Sequence, residues 1–142
     1  MKVIGKLFLL AFLFSSLFSC KKEIDPEENL VGTWTVSKVE GQQIINGNPG
    51  FSAADNNPSG TISFSADATG QQNYSFSFLG TVYPQNDNFS WSATETEIII
   101  DRLLNPDLVW TRIVNESNKQ VASYDIPVNA SQVIRYTLTL EK

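Results

Sequence analysis

The sequence predicts an all-β protein built as a single eight-stranded antiparallel up-and-down barrel. From Leu30 onward, apolar and polar residues alternate in successive short runs, which gives each strand one apolar face. No run after Leu30 has the period of a helix. Consecutive antiparallel strands with short turns close most simply into a barrel, because closure removes exposed strand edges. An immunoglobulin-like β-sandwich is the alternative fold.

Eight segments carry the strand pattern. The first, Leu30–Glu40, directs Trp34 and Val36 to one face, and its phase breaks at Lys38, which predicts a bulge or an exposed end. The other seven segments cover residues 61–66, 72–79, 89–93, 97–101, 108–115, 120–126 and 134–140.

Most of the connections are short turns. Residues 67–70 predict a hairpin turn in which Gly70 takes the left-handed conformation. Residues 105–107 and 116–119 predict two further turns. One connection is long, since residues 41–60 are rich in Gly, Pro and Asn and show no periodicity. A loop of that length within a compact domain is usually functional or disordered.

The N-terminal residues have the features of a secretory signal peptide. Lys2 and Lys6 precede an apolar run over residues 7–18, which is too short to span a bilayer because Lys21 and Lys22 follow so closely. We therefore expect residues 1–19 to be a signal peptide, residues 20–29 a flexible tether and residues 30–142 the barrel domain.

The chain contains one cysteine, and it lies directly after the apolar run. The residues Leu17, Phe18, Ser19 and Cys20 resemble the lipobox of bacterial lipoproteins. This resemblance implies cleavage before Cys20, acylation of its thiol and attachment to a membrane, where two or more acyl chains anchor stably. The alternative is an ordinary signal peptide that leaves an unpaired thiol, which is a liability in an oxidising compartment.

The segment after Cys20 predicts where the anchored protein resides. It is charged and contains Pro26, so we expect an extended tether that spans about 3.3 to 3.6 Å per residue. Lys22 followed by Glu23 resembles the surface-export signal of Bacteroidota lipoproteins. The expected location is therefore the outer membrane, on its periplasmic face or at the cell surface.

Charge and composition exclude several functional classes. Removal of residues 1–19 leaves eight basic and fifteen acidic side chains, and such a chain is repelled by nucleic acid. The sequence has no histidine, so the commonest metal ligand and the usual catalytic triads are missing. Glu95 and Glu97 fit a solvated strand edge better than an acid–base pair. We therefore expect a protein that is not an enzyme and uses no cofactor or metal.

A family resemblance supports the barrel prediction. The segments "LVGTWTV", "GTISFSADATG", "FSWSATETEIII" and "YTLTLEK" resemble the lipocalin-like lipoproteins of Bacteroidota. The resemblance implies that Trp34 closes one end of the barrel beneath Arg135, and that residues 41–60 form a lid over the other end. It also implies binding of a small hydrophobic molecule.

The inward positions of the predicted strands are rich in aromatic residues. These residues form the core of the barrel, line a ligand cavity, or do both. If the interior is filled, the alternative function is that of a structural or adhesion lipoprotein that binds a protein or glycan on its outer surface. The inward aromatic residues are Phe64, Tyr74, Phe76, Phe89, Trp91, Trp110, Tyr124 and Tyr136.

Overall fold

A computed structural model describes residues 25–103 and 105–142 of the chain. The predicted signal peptide and the lipidation site at Cys20 lie outside these residues. One short helix and nine strands follow each other along the described chain. They are α1 (Pro26–Leu30), β1 (Gly32–Ile45), β2 (Asn48–Asp55), β3 (Ser59–Phe64), β4 (Thr69–Phe78), β5 (Thr81–Ala93), β6 (Glu97–Arg102), β7 (Leu108–Asn115), β8 (Lys119–Asn129) and β9 (Gln132–Glu141).

The strands form one closed antiparallel barrel. From β3 to β9 each strand pairs with the next, and β1 pairs with both β3 and β9. β2 and β3 lie on the same side of β1, where β3 pairs with its first residues and β2 with its last. The nine strands thus occupy eight positions around the barrel. This arrangement confirms the predicted eight-stranded up-and-down barrel.

The predicted long loop over residues 41–60 is wrong. β1 continues to Ile45, and β2 returns beside it through a two-residue turn at Asn46 and Gly47. Both turn residues have positive φ, 50° and 78°, as a type I′ turn requires. Asn-Gly is a strong hairpin signal, but the surrounding polar residues concealed it because they show no strand alternation.

The predicted break in the first strand is confirmed. Strand pairing between β1 and β9 shifts register between Val36 and Lys38, which is the signature of a bulge. Trp34 and Val36 face inward before the bulge, whereas Val39 and Gly41 face inward after it. The bulge therefore keeps both halves of a long strand directed at the core.

The tether prediction is wrong for its last residues. Residues 26–30 form α1, whose first turn is capped by Asp25, since its Oδ1 accepts a hydrogen bond of 3.0 Å from the Glu27 N–H. Leu30 is fully buried beneath the barrel. No helix among the described residues is long and apolar enough to cross a membrane.

The turn between β3 and β4 differs from the prediction at one position. The left-handed residue is Ala68, with φ of 63°, and not Gly70. Asp67 holds this turn because its Oδ1 accepts hydrogen bonds from the backbone N–H and the hydroxyl of Thr69, at 3.0 and 2.6 Å. Gly70 belongs to β4 and lies directly under the ring of Phe89, which leaves no room for a side chain.

The two ends of the barrel differ. The closed end carries α1 and the turns at residues 65–68, 94–96 and 116–118. The open end carries the hairpin turns at residues 46–47, 79–80 and 130–131 together with the loop after β6. Inward side chains in the closed half, such as Ile62, Ile98 and Leu140, are almost completely buried. The core of the protein therefore sits toward the closed end.

A close contact between a glycine and an aromatic ring shapes the open half. Gly41 faces inward on β1, and a Cβ at this position would lie 2.4 Å from Cε2 of Phe78. The ring of Phe78 itself is buried and contacts Tyr136 at a centroid distance of 5.8 Å. The absence of a side chain at residue 41 thus provides the space that Phe78 occupies.

Substitution of this glycine tests the contact. We expect Gly41→Ala to lower the free energy of unfolding by about 1 to 3 kcal/mol, since the added methyl group overpacks the core. The loss should be smaller in a Phe78→Leu background, where the ring is gone. Urea denaturation of the four proteins in this double-mutant cycle measures both values. An equal loss in both backgrounds would mean that Phe78 does not cause the effect.

Candidate functional site

The wall of the barrel is interrupted on one side of the open half. β6 and β7 are the short strands here: β5 pairs with β6 only over Phe89–Ala93, and pairing of β7 with β8 stops at Thr111 and Ser123. Among the described residues, Thr81–Asn88 of β5 and Tyr124–Asn129 of β8 have no strand paired to their facing edges. We call this break in the hydrogen-bonded wall the side gap.

Six inward residues next to the side gap are only partly buried. Their side chains extend from β5, β6, β8 and β9 toward the barrel axis, and each retains contact with solvent. Inward residues nearer the closed end are buried instead. We call this set of partly buried inward residues, which stay in contact with solvent, the barrel mouth. They are Tyr83, Gln85, Asp87, Arg102, Ile126 and Ile134.

Aromatic rings form the floor of the barrel mouth. Tyr136 contacts Phe76 at 5.2 Å and Tyr124 at 5.7 Å between ring centroids. Trp110 stacks on Tyr124 at 5.6 Å, and Tyr74 stacks on Phe76 at 6.2 Å. None of these five side chains is more than 7% exposed. The floor is thus a continuous apolar surface that also carries three phenolic hydroxyls.

Two of these hydroxyls are paired with each other. Tyr74 and Tyr124 share a side-chain hydrogen bond, and burial raises the pKa of both, to about 12 for Tyr124 and well above 10 for Tyr74. The positive charge of Arg102 acts on both residues in the opposite direction and lowers their pKa. Desolvation is the larger effect, so both phenols are neutral at physiological pH.

The mouth contains one cation and one anion. The Arg102 guanidinium donates through Nε and Nη2 to the carbonyl oxygen of Pro106, at 3.0 and 2.6 Å. Asp87 accepts a hydrogen bond of 3.1 Å from Nε2 of Gln72, a side chain that is almost fully buried below it. These polar groups lie above an otherwise aromatic floor, an arrangement typical of small-molecule sites.

Large apolar side chains are exposed around the open end. Between 42% and 91% of each is accessible to solvent. They come from the end of β1, from β2, from the hairpin between β4 and β5, from the loop after β6 and from the end of β8. We call this set the apolar rim: Ile45, Phe51, Leu79, Val82, Leu103 and Val128.

The closed end is built around Trp34. Its indole is fully buried, and Nε1 donates a hydrogen bond of 2.7 Å to the carbonyl oxygen of Leu30. The ammonium of Lys142 lies 4.2 Å from the ring centroid and donates to the carbonyl oxygen of Val31 at 2.9 Å. The cation over the tryptophan is therefore a lysine that the sequence did not single out.

The prediction that Arg135 covers Trp34 is wrong. Arg135 points outward from β9, and its Nε and Nη2 donate to the two carboxylate oxygens of Asp125 at 2.7 and 2.8 Å. This pairing raises the pKa of Arg135. A second arginine, Arg112, lies at the closed end and donates to the carbonyl oxygen of Thr94 at 2.8 Å and to Oε1 of Gln120 at 3.1 Å.

The predicted ligand-lining residues fall into two groups. Phe64, Phe89 and Trp91 pack together toward the closed end, with Phe64 lying 5.6 Å from Phe89 and 5.4 Å from Trp91. The remaining five form the floor of the barrel mouth. Ligand lining by either group remains a prediction.

Four residues of the mouth were not predicted from the sequence. Tyr83, Gln85 and Asp87 continue the alternation of Phe89 and Trp91 toward the open end, and this continuation was the available signal. Arg102 continues the inward positions Ile98 and Ile100 in the same way. Polar side chains at these inward positions made the segments resemble loops.

The acidic residues considered for catalysis lie apart from the mouth. Glu95 and Glu97 are both exposed at the turn between β5 and β6, on the closed end of the barrel. Within residues 25–103 and 105–142, no three acidic or cysteine side chains are grouped closely enough to hold a metal ion.

Comparisons with known proteins add a general likeness. No protein-family model and no curated protein matches the chain. A deswapped triple mutant of bovine odorant-binding protein superposes with a TM-score of 0.47 and 13% identity, covering 80% of this chain and 74% of its own. The bovine lipocalin allergen Bos d 2 gives 0.47 and 14%, with coverage of 84% and 75%. A dog lipocalin allergen gives 0.47 and 12%, with coverage of 80% and 73%. The fold is therefore defined by the strand pairing.

The buried tyrosines predict how stability depends on pH. Because the folded chain keeps Tyr124 neutral up to about pH 12 while an unfolded tyrosine ionises near pH 10, only the unfolded state gains charge between these values. The stabilisation is complete below pH 10 and is lost as the pH rises to 12. Tyr124 alone should account for about 3 kcal/mol of this loss.

Urea denaturation between pH 8.5 and pH 11 measures this effect. We expect the free energy of unfolding to fall across this range in the unsubstituted protein, and to fall less in Tyr124→Phe, which cannot ionise. Parallel pH profiles for the two proteins would contradict the assignment of the loss to Tyr124.

Proposed function

We propose that the protein binds a small, largely apolar molecule in the barrel mouth and does not act as an enzyme. The observation that carries this proposal is the contrast between the two halves of the barrel. Side chains fill the closed half, whereas six inward residues of the open half remain in contact with solvent next to an aromatic floor. A ligand that covers these rings would remove apolar surface from water, which contributes about 25 cal/mol per Å².

The side gap and the apolar rim support this proposal. A molecule that enters between β5 and β8 does not need to break hydrogen bonds of the wall, since the facing edges are unpaired in the described chain. Leu79 and Val82 border this opening and offer apolar contacts on the way to the floor. Contact with an apolar ligand would explain why the large apolar side chains of the rim are exposed at this end.

The composition of the gap edges favours an entrance over a docking site for a strand. Pro84 lies in the unpaired part of β5, and Pro127 lies in the unpaired part of β8. Proline lacks an N–H group and cannot complete a ladder of hydrogen bonds, so it protects an edge against the addition of another strand. Both edges of the gap therefore resist closure by β-pairing.

We further propose that the barrel is attached to the bacterial outer membrane through acylated Cys20. The position of α1 supports an orientation for the anchored protein. Because α1 packs at the closed end, Asp25 lies there, and a short link from Asp25 to an anchored Cys20 would turn the mouth away from the membrane. A ligand would then reach the mouth from the aqueous side, either in the periplasm or at the cell surface.

One observation favours the alternative function, binding of a protein or glycan on the outer surface. Ile99, Val109 and Ile113 are exposed on the outer face of β6 and β7, and Ile99 and Val109 are direct cross-strand neighbours. Exposed apolar stripes of this kind occur at interfaces. The stripe is smaller than the apolar rim and carries no aromatic residue, so we rank this function second.

Binding in the mouth can be tested with the neutral fluorescent probe N-phenylnaphthylamine. A chain from Glu23 to Lys142 contains α1 and every paired strand, and its circular dichroism and cooperative unfolding provide the check of folding. We expect saturable binding of one probe molecule per chain, with an increase in probe fluorescence. Gln85→Trp should weaken this binding at least about tenfold, because the indole fills the mouth.

Gln71→Trp is the matched control. Gln71 is also a glutamine on a strand of the barrel, but it is exposed on the outer face of β4. It borders a depression of the outer surface together with Ser63 and Asp101. If Gln71→Trp weakens probe binding and Gln85→Trp does not, the site lies outside the barrel. Absence of probe binding would overturn the proposed function and favour the outer stripe.

The anchor is tested separately in cells. We expect Cys20→Ala to abolish labelling with a palmitate analogue and to move the protein from the membrane fraction to the soluble fraction, because the acceptor thiol is lost. Cys20→Ser is the conservative companion variant and should give the same result. Retention of either variant in the membrane fraction would contradict anchoring through Cys20.

A further inference from the structure

Arg102 is a cation at the barrel mouth that has no acidic partner among the described residues. Both of its hydrogen bonds end on one neutral acceptor, the carbonyl oxygen of Pro106. Elsewhere on the barrel, Arg135 forms a two-point ion pair with Asp125, and Lys38 pairs with Glu40 at 2.9 Å. Within residues 25–103 and 105–142, Arg102 therefore forms no direct ion pair, although the chain has fifteen acidic residues, and it lies at a solvent-accessible inward position.

Three buried side chains of the aromatic floor carry hydrogen-bond donors. The hydroxyls of Tyr74 and Tyr124 form a pair, and both phenols keep their protons at physiological pH. Trp110, which stacks on Tyr124, is buried, and its indole N–H has no acceptor among the described residues. A buried donor without an acceptor costs about 1 to 3 kcal/mol. The cluster can therefore accommodate a ligand that brings acceptor atoms.

The charge of the ligand is limited by Asp87. This carboxylate also faces the mouth, where Gln72 holds it from below. A head group with two negative charges would be attracted by Arg102 and repelled by Asp87. A group with one negative charge can bind near Arg102 and remain away from Asp87. The apolar rim, with Leu79 and Val82 beside the gap, would then contact an apolar tail.

We propose that the mouth binds the carboxylate of an amphiphilic molecule, with Arg102 as its counter-charge and the Tyr74–Tyr124 hydroxyl pair as a hydrogen-bond donor. This inference rests on the proposed function and specifies the ligand class for the same site. The carboxylate lies at the level of Arg102, above the aromatic floor, and the tail extends through the side gap along the apolar rim.

Competition with bound N-phenylnaphthylamine tests the head group with three ligands of equal chain length. Decanoate carries the carboxylate, decanol is neutral and decylamine carries the opposite charge. For the unsubstituted chain from Glu23, we expect decanoate to bind about 10- to 100-fold more tightly than decanol, as one charge-assisted interaction provides. Decylamine should bind more weakly than decanoate.

Substitutions of Arg102 test whether its charge causes the preference for decanoate over decanol. Arg102→Gln should remove the preference for decanoate and leave the affinity for decanol within about twofold, whereas Arg102→Lys should retain part of the preference because it keeps the charge. Arg135→Gln, on the outer face of β9, is the matched control and should change neither affinity. Arg102 is partly exposed, so these variants retain the buried core.

The outcomes separate this inference from the proposed function. If decanol and decanoate displace the probe with equal affinity, or if Arg102→Gln weakens both to the same extent, the carboxylate assignment is overturned and binding of an apolar molecule stands. If the probe and all three ligands fail to bind, both proposals fail. Loss of decanoate binding in Arg135→Gln would place the anion on the outer surface and also overturn the assignment.

Discussion

Pairing of β1 with β9 is the constraint on which the rest of the structure depends. β1 is a strand of fourteen residues that pairs with β9 on one side and with β2 and β3 on the other. It reaches from the closed end to the open end, so one strand connects the wall of both halves. The chain has no disulfide to replace this closure, since it contains a single cysteine. Closure also fixes the position of every inward side chain relative to the axis of the barrel.

The difference between the two halves follows from strand length. β6 and β7 contain six and eight residues, whereas β5 and β8 contain thirteen and eleven. All eight positions of the wall are therefore occupied near the closed end, and the interior there is filled by apolar side chains. Toward the open end the wall loses two strands, and the inward positions become accessible and partly polar. The mouth is thus a geometric consequence of two short strands in a barrel of long ones.

Much of the fold could be predicted from the sequence because most strands have one apolar and one polar face. The segments around Ile62, Phe76 and Leu138 alternate clearly, and each is a strand of the barrel. Alternation fails where both faces of a strand are polar, as in the first part of β5 with Gln85 and Asp87. These polar inward residues belong to the candidate site. The sequence therefore predicted the aromatic floor, but the polar groups above it could be placed only once the strand pairing was known.

The cation over Trp34 was also unpredictable, because only the folded chain brings Lys142 next to it.

Two of the three hairpin turns at the open end differ in their backbone energetics. Both place two consecutive residues at positive φ, but one uses Asn46 and Gly47 while the other uses Leu79 and Gly80, with Leu79 at 54°. A left-handed leucine costs about 1 kcal/mol relative to residues that adopt this conformation readily. Its side chain is also mostly in water, so burial does not offset that strain. The isolated barrel would therefore be more stable with asparagine at this position, because no contact of the exposed leucine among the described residues offsets the cost of its backbone conformation.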